Sequence, residues 1–138
     1  MKTVLITGGT GLVGKRLTSL LLEKGYQVTI LSRNTDKLQK NGPVRYATWD
    51  VEKQTIDFDA IQSADYIIHL AGAGVVAKRW TDSYKKEILE SRTKSSKLIT
   101  DSLKNHSNKV KAVVSSSAIG WYGPDKTPVK PFTEDDEP

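Results

Sequence analysis

The apolar residues of this chain change their period at residue 8. Thr3, Val4, Leu5, Ile6 and Thr7 form an unbroken run of strand length, whereas Leu12, Val13, Leu17, Leu20 and Leu21 recur at three- and four-residue steps. The first pattern predicts a strand and the second an amphipathic helix. The same exchange repeats down the chain. Glu23-Lys24-Gly25 reads as a helix end with Gly25 in the C-cap region, and residues 26–31 as a second strand ending at Ser32-Arg33-Asn34. A polar, partly helical stretch leads to the turn signal Asn41-Gly42-Pro43. Residues 44–49 give a short third strand ending at Asp50, and residues 56–63 fit a turn or small helix. Residues 65–71 are a fourth strand, whose continuous apolarity predicts burial on both faces. Thr81 is the expected N-cap of a long helix reaching about Asn105, with Ile88, Leu89, Ile99 and Leu103 on its apolar face. Residues 110–115 form the fifth strand, and no periodic pattern follows them.

Strands alternating with helical connections imply an α/β fold with a parallel sheet and right-handed crossovers. The expected architecture is a Rossmann doubly wound sheet of five strands in the order 3-2-1-4-5, lacking the sixth strand and any substrate domain. Residues 1–123 would be that domain, and residues 124–138 a proline-rich acidic loop.

The junction between first strand and first helix carries the chemistry. Gly8, Gly11 and Gly14 are each separated by two residues. Strand, glycine turn and helix in that order make a dinucleotide fingerprint. Gly8 permits the tight turn, Gly11 admits a pyrophosphate to the backbone, and Gly14 allows the helix to pack closely on the strand. Phosphates would then meet the free N–H groups and positive dipole end of the helix. Residues 9–15 also read G-x-x-x-x-G-K, but Arg16 stands where a triphosphate loop needs Ser or Thr for Mg²⁺. The expected cofactor contacts here are Gly8, Thr10, Gly11, Leu12, Val13 and Gly14.

Four further stretches fall at the same predicted sheet edge: Ser32 and Arg33, Asp50, residues 70–74 with Leu70, Ala71 and Gly72, and residues 115–117. An acidic residue roughly 20 positions beyond the glycines would bind a ribose 2′-hydroxyl. This chain has Ser32-Arg33-Asn34 there instead, and Asp36 lies past the strand end. An Arg fork suits a 2′-phosphate, so NADP is expected over NAD. Lys37 would add charge if the following turn curls back.

Composition narrows the class. With 138 residues, 37% hydrophobic and 27% charged, the chain suits one soluble domain. No apolar run approaches membrane-spanning length, and the early strand argues against a signal peptide. Cysteine is absent, which excludes disulfides and is compatible with a cytoplasmic location. Only His69 and His106 are present, neither near a carboxylate cluster, so no metal site is expected. His69, within an apolar strand, reads as a satisfied core residue rather than a base. The net charge is +5, but Lys85, Lys86, Lys94, Lys97 and Lys104 are scattered along one helix. That describes a solvated surface rather than a nucleic-acid site, and a basic balance also suits an anionic cofactor. The apolar fifth strand, lacking a neighbour, is expected to invite self-association.

These residues resemble a known family. Thr7-Gly8-Gly9-Thr10-Gly11-Leu12-Val13-Gly14, Ala71-Gly72, and Ser115-Ser116-Ser117-Ala118 with Tyr122-Gly123 are similar to extended short-chain dehydrogenases of the nucleotide-sugar epimerase type. Leu31-Ser32-Arg33-Asn34, Trp49-Asp50, Arg79-Trp80-Thr81, Ile88-Leu89-Glu90-Ser91-Arg92 and the run from Ser117 to Gly123 resemble an atypical epimerase-like subgroup of uncertain substrate. The resemblance implies nicotinamide-dependent redox or epimerase chemistry on a small or sugar-like substrate, with the sixth strand and substrate region beyond Pro138. It places Ser117 at the catalytic Ser position and Asp50 near adenine. Asp50 reads equally as a turn residue, and Ser117 as part of a strand end whose hydroxyls satisfy backbone. Trp80 and Trp121 could line a pocket or pack. Ser91 stands where many epimerases carry a relay Asn. Tyr122 and Lys126 match Tyr-x-x-x-Lys in letters, but Gly123-Pro124 forbids the helix that would align them. The residues present are therefore expected to bind NADP(H) without turnover. The alternative is a non-catalytic NADP(H)-binding or sensing protein.

Overall fold

A computed structural model describes residues 1–35, 42–124 and 127–137. Strands β1 (Thr3–Thr7), β2 (Gln27–Ser32), β3 (Val44–Asp50), β4 (Thr55–Ile56), β5 (Tyr66–His69) and β6 (Ala112–Ser115) form one sheet in the order β4-β3-β2-β1-β5-β6. Helices α1 (Leu12–Glu23), α2 (Phe58–Ser63) and α3 (Asp82–Asn105) connect them, and a short 3₁₀ helix covers Ile119–Tyr122. The five predicted strands stand in their expected order, all parallel to their neighbours. The correction is a sixth, two-residue strand. β4 turns back antiparallel on β3, pairing Trp49 with Ile56 and Asp50 with Thr55. Two residues are too few for a period, so the sequence leaves Thr55 unassigned and puts Ile56 at the start of a turn or small helix.

The pleat sorts β1 into two cores. Leu5, fully buried, joins Ile67, Trp49, Ile61, Leu98 and Ile99 beneath α2 and α3. Val4 and Ile6 join Val28 and Ile30, with Leu17, Leu21 and Leu22 of α1 packed against them. Helices thus cover both faces of the sheet. β1, central in the order, is buried at all five positions. β5 alternates instead, with Ile67 and His69 buried and Tyr66 and Ile68 partly covered, so it is not sealed on both faces as its apolarity suggested.

Two helical stripes also differ from expectation. On α1, Leu12, Val13 and Leu20 are exposed, and Leu17, Leu21 and Leu22 are the leucines that reach the core. On α3 the buried face is Tyr84, Ser95, Leu98, Ile99 and Ser102, while Leu89 is 63% exposed. Buried serines escape a hydrophobic count, yet their small side chains can lie inside when the hydroxyl is satisfied, as Ser102 Oγ is by the Leu98 carbonyl at 2.7 Å. The caps are as the sequence predicts. Thr81 Oγ1 accepts the Tyr84 N–H. Gly25, at φ +78°, ends α1 with N–H bonds from Gly25 to the Leu22 carbonyl and from Tyr26 to that of Leu21. After the 3₁₀ turn, the Tyr122 ring stacks on Phe132 at 5.2 Å.

Candidate functional site

A cleft of about 910 Å³ opens along the carboxyl ends of the parallel strands. Gly8, Thr10, Gly11, Ser32, Arg33, Asp50, Leu70, Ala71 and Gly72 all line it. Four stretches separated by tens of residues meet there because parallel strands deliver every carboxyl end to one edge.

The glycine turn is set by contact as well as by conformation. Gly8 sits at φ +71°, and a Cβ there would lie 2.9 Å from the Leu70 carbonyl group. A Cβ on Gly14 would fall 2.3 Å from the Gly8 oxygen and 2.6 Å from Gly9 Cα. The close approach that Gly14 permits is therefore to the turn itself, rather than to the strand as expected. Gly9, which the fingerprint spacing leaves out, is also required: its Cβ would meet the Ile30 side chain at 2.8 Å. Gly11 is the N-cap of α1 and offers no side-chain acceptor, so the first-turn N–H groups at Leu12 and Val13 have no cap partner. Neither Leu12 nor Val13 uses its side chain in the core, which leaves the helix start open at the cleft mouth.

At the end of β2, Ser32 Oγ accepts the Asn34 N–H at 3.3 Å and donates to the Asn34 carbonyl at 3.0 Å, closing a small turn. Arg33 is exposed at the cleft and makes no ion pair among the described residues. Asp36 and Lys37 lie outside the described residues. Asp50 Oδ1 accepts the N–H groups of Glu52 and Lys53, both at 3.0 Å, so it is a turn residue that also lines the cleft. That turn is tied across to α3. Lys94 Nζ reaches Glu52 at 2.7 Å and Glu90 at 2.9 Å, and these carboxylates, Glu52 first, hold its pKa above the ordinary lysine value. Gln54, at φ +53°, donates to the Lys94 carbonyl at 3.2 Å.

The wall after β5 is held by α3. Ser91 Oγ accepts the Ala73 N–H at 2.9 Å and donates to the Ile88 carbonyl at 3.0 Å. Tyr84 Oη donates to the Gly74 carbonyl, and Arg92 Nη1 to that of Ala73. Gly72 leaves the space that the Arg92 guanidinium fills, since a Cβ would lie 3.0 Å from Cζ. Trp80 Nε1 donates to the Val75 carbonyl at 2.7 Å, yet the residue is 58% exposed. Sequence reading missed Tyr84 and gave Arg92 no role beyond its place in the family-like run, because their partners are backbone carbonyls that no side-chain pattern marks.

Ser115 pairs with His69 in register, so β6 ends at the same edge. Ser117, however, is exposed and does not line the cleft, and Trp121 is likewise exposed. Tyr122 ends in the 3₁₀ turn before Gly123 at φ +78°, and Lys126 lies outside the described residues. His69 is buried and hydrogen bonded through both ring nitrogens. Among the described residues no group of acidic, His or Cys side chains could hold a metal ion, and no helix is long and apolar enough to cross a membrane.

Comparison with known proteins agrees with this geometry. Residues 4–138 match the model of the NAD dependent epimerase/dehydratase family. An epimerase family protein of Staphylococcus aureus is 36% identical over 125 residues, covering 91% of this chain but 40% of the relative. A human epimerase family protein solved with NADPH superposes with a TM-score of 0.74 at 27% identity, covering 98% of this chain and 42% of that one. MoeE5, solved with UDP-glucuronic acid and NAD, gives a TM-score of 0.76 at 25% identity, covering 99% of this chain and 42% of its own. The chain thus spans about two fifths of the length of these relatives.

Proposed function

This chain belongs to the NAD dependent epimerase/dehydratase family, and on that premise we propose that it forms the NADP(H)-binding portion of an epimerase-like short-chain dehydrogenase. Residues 1–123 supply the cofactor domain, and residues 124–138 lead toward a substrate region. The observation that carries the reading is the cleft. It brings the glycine turn, the open start of α1, Arg33 and the Ala71-Gly72 wall to one edge, with no acidic residue from 32 to 34 at the end of β2. Gly11 and the helix start would hold the pyrophosphate, Asp50 would stand near the adenine, and Leu70, Ala71 and Gly72 would form a further wall of the cofactor site. Bound there, the cofactor supplies hydride transfer. The parent enzyme's substrate is a small or sugar-like molecule.

Ser117 is the catalytic residue by position in the family. Its place outside the cleft lining favours an alternative, in which the protein binds or senses NADP(H) without turnover. Both readings predict that the 138-residue chain binds NADPH weakly and oxidises none. Fluorescence titration with NADPH should saturate, and absorbance should stay constant with short-chain carbonyl compounds. A wild-type chain that gives no binding refutes the cofactor reading. Steady NADPH oxidation abolished by Ser117→Ala refutes the inactivity.

The β6 edge has a further consequence. Val113 and Val114 are 45% and 61% exposed, and β5 is the strand's one sheet neighbour among the described residues. An apolar strand edge pairs readily with another copy. Sedimentation velocity should show concentration-dependent self-association, weakened by Val114→Lys; a monomer at every concentration would contradict it.

A further inference from the structure

Thr7 and His69 end adjacent strands, paired in register beneath the cleft. The Thr7 Oγ1 oxygen accepts the Leu70 N–H at 3.2 Å and the Ala71 N–H at 3.1 Å. The Leu70 N–H is shared with the Thr7 carbonyl, also at 3.2 Å, whereas the Ala71 N–H has the hydroxyl. With both lone pairs occupied, the hydroxyl has one proton to donate. It faces His69 Nδ1 at 2.7 Å, so that nitrogen must be the acceptor. The ring proton then resides on Nε2, opposite Ser95 Oγ at 3.2 Å and Ser96 Oγ at 3.3 Å. Ser95 agrees with that assignment, because its own proton goes to the Arg92 carbonyl at 3.1 Å and leaves its oxygen free to accept.

We propose that His69 is a positioning residue of the cleft: as the neutral Nε2–H tautomer it orients the Thr7 hydroxyl, which holds Leu70 and Ala71 against the glycine turn, so that cofactor affinity follows its protonation. The cofactor part of this rests on the NADP(H) reading above. A proton on Nδ1 would make the ring a donor toward an oxygen already saturated by two N–H groups, and would strand the hydroxyl proton. The bond to Ala71 must then weaken. Gly8 lies against that same backbone, at the distance where even a methyl group would not fit, so movement of Leu70 and Ala71 opens the turn.

The surroundings favour the neutral ring. β1 and β6 contribute no ionisable side chain within Thr3–Thr7 or Ala112–Ser115, and β5 contributes only Tyr66 besides His69. From α3, Arg92, Lys94 and Lys97 flank the two serines: Arg92 is bonded to backbone carbonyls, Lys94 to Glu52 and Glu90, and Lys97 to Asp101. Every ring partner is a hydroxyl, and burial holds the His69 pKa below its ordinary value of 6.5. The contribution of the neutral ring is therefore complete above pH 6.5 and is lost as pH falls through the lower folded value.

Nitrogen-15 NMR of the 138-residue chain without cofactor tests the tautomer, with His106→Gln to assign the rings. At pH 7.5 the proton is expected on Nε2, and the Ala71 amide resonance should titrate with the His69 ring. An Nδ1–H tautomer, or an Ala71 amide indifferent to ring protonation, overturns the proposal whether or not NADPH binds. Affinity is the second readout. The cofactor 2′-phosphate titrates in the same range, so the ratio of wild type to His69→Gln is taken at each pH. Between pH 7.5 and 5.5 wild type should lose more affinity than His69→Gln, by less than about tenfold, because burial holds the ring's pKa below 6.5 and leaves it incompletely protonated at pH 5.5. Thr7→Val should bind about tenfold more weakly at both pH values, and Thr7→Ser should restore binding. Equal pH slopes in wild type and His69→Gln overturn the proposal. If His69→Gln does not fold, His69→Asn serves for the same comparison.

Discussion

Gly14→Ala is expected to lower folding stability by about 3 kcal/mol and to abolish dinucleotide binding. The added Cβ would stand 2.3 Å from the Gly8 oxygen, 2.6 Å from Gly9 Cα and 2.8 Å from the Gly9 carbonyl carbon. All three are backbone atoms, so no rotamer change relieves the clash. Either α1 moves off the sheet, which uncovers Leu17 and Leu21 from their core, or the turn opens and the phosphate site loses its shape. Gly25→Ala is the internal control. It meets nothing within 4 Å, but the residue sits at φ +78°, so its cost of about 1 kcal/mol is conformational alone and lies far from the cleft. Urea unfolding separates the two in stability, and NADPH titration separates them in function. Equal destabilisation with unchanged NADPH affinity in both variants would show that the close packing of Gly14 on the turn has no functional weight.

Arg33→Ala should weaken NADPH binding by about tenfold to a hundredfold while leaving NADH binding within about twofold. Arg33 is exposed at the cleft beside the Ser32 turn, free of ion pairs among the described residues, and therefore available to a 2′-phosphate. Exposure sets the size of the effect: a fork in water contributes less than a buried one, which keeps the expected loss at the modest end for a charge-assisted contact. Ser32 is less able to help than its position suggests, because its hydroxyl proton is committed to the Asn34 carbonyl. Calorimetric titration of both cofactors into wild type and Arg33→Ala reads the selectivity directly. Equal wild-type affinities, or a parallel loss for both cofactors in the variant, would assign Arg33 to general attraction rather than to the 2′-phosphate.

Most of the framework of this site is legible in the chain. The change of period at Gly8, the run at residues 26–31 and the apolar strand before Ala71 place three pieces of the cleft, because strand and helix periods are local properties. Parallel topology then delivers those carboxyl ends to one edge without further information. The glycines were readable for the same reason, since a missing Cβ is covalent. What the spacing could not say is which neighbour each glycine makes room for: Leu70 for Gly8, Ile30 for Gly9, the turn itself for Gly14 and the Arg92 guanidinium for Gly72.

Elsewhere the chain misleads because apolarity is an incomplete proxy for burial. Leu89 has the spacing of a core residue on α3 and faces water, while Ser95, six residues further along the same helix, is fully buried in the interior. A serine can be buried only where partners satisfy it, and those partners come from other elements. Ser95 bonds to the Arg92 carbonyl and to His69, 26 residues away.

By itself the sequence determined the order of the five parallel strands and the two long helices, the fingerprint turn, the absence of an acid at the end of β2 and the core character of His69, all of which depend on neighbours a few residues apart or on covalent chemistry. Tertiary structure alone decided that Ser117 lies off the cleft lining, that Ser91, Tyr84 and Arg92 hold the wall after β5, and that Thr7 meets His69 across 62 residues. The physical reason is that a hydrogen bond's partner is fixed by where the folded chain brings a donor and an acceptor within about 3 Å, and that distance has no period along the sequence.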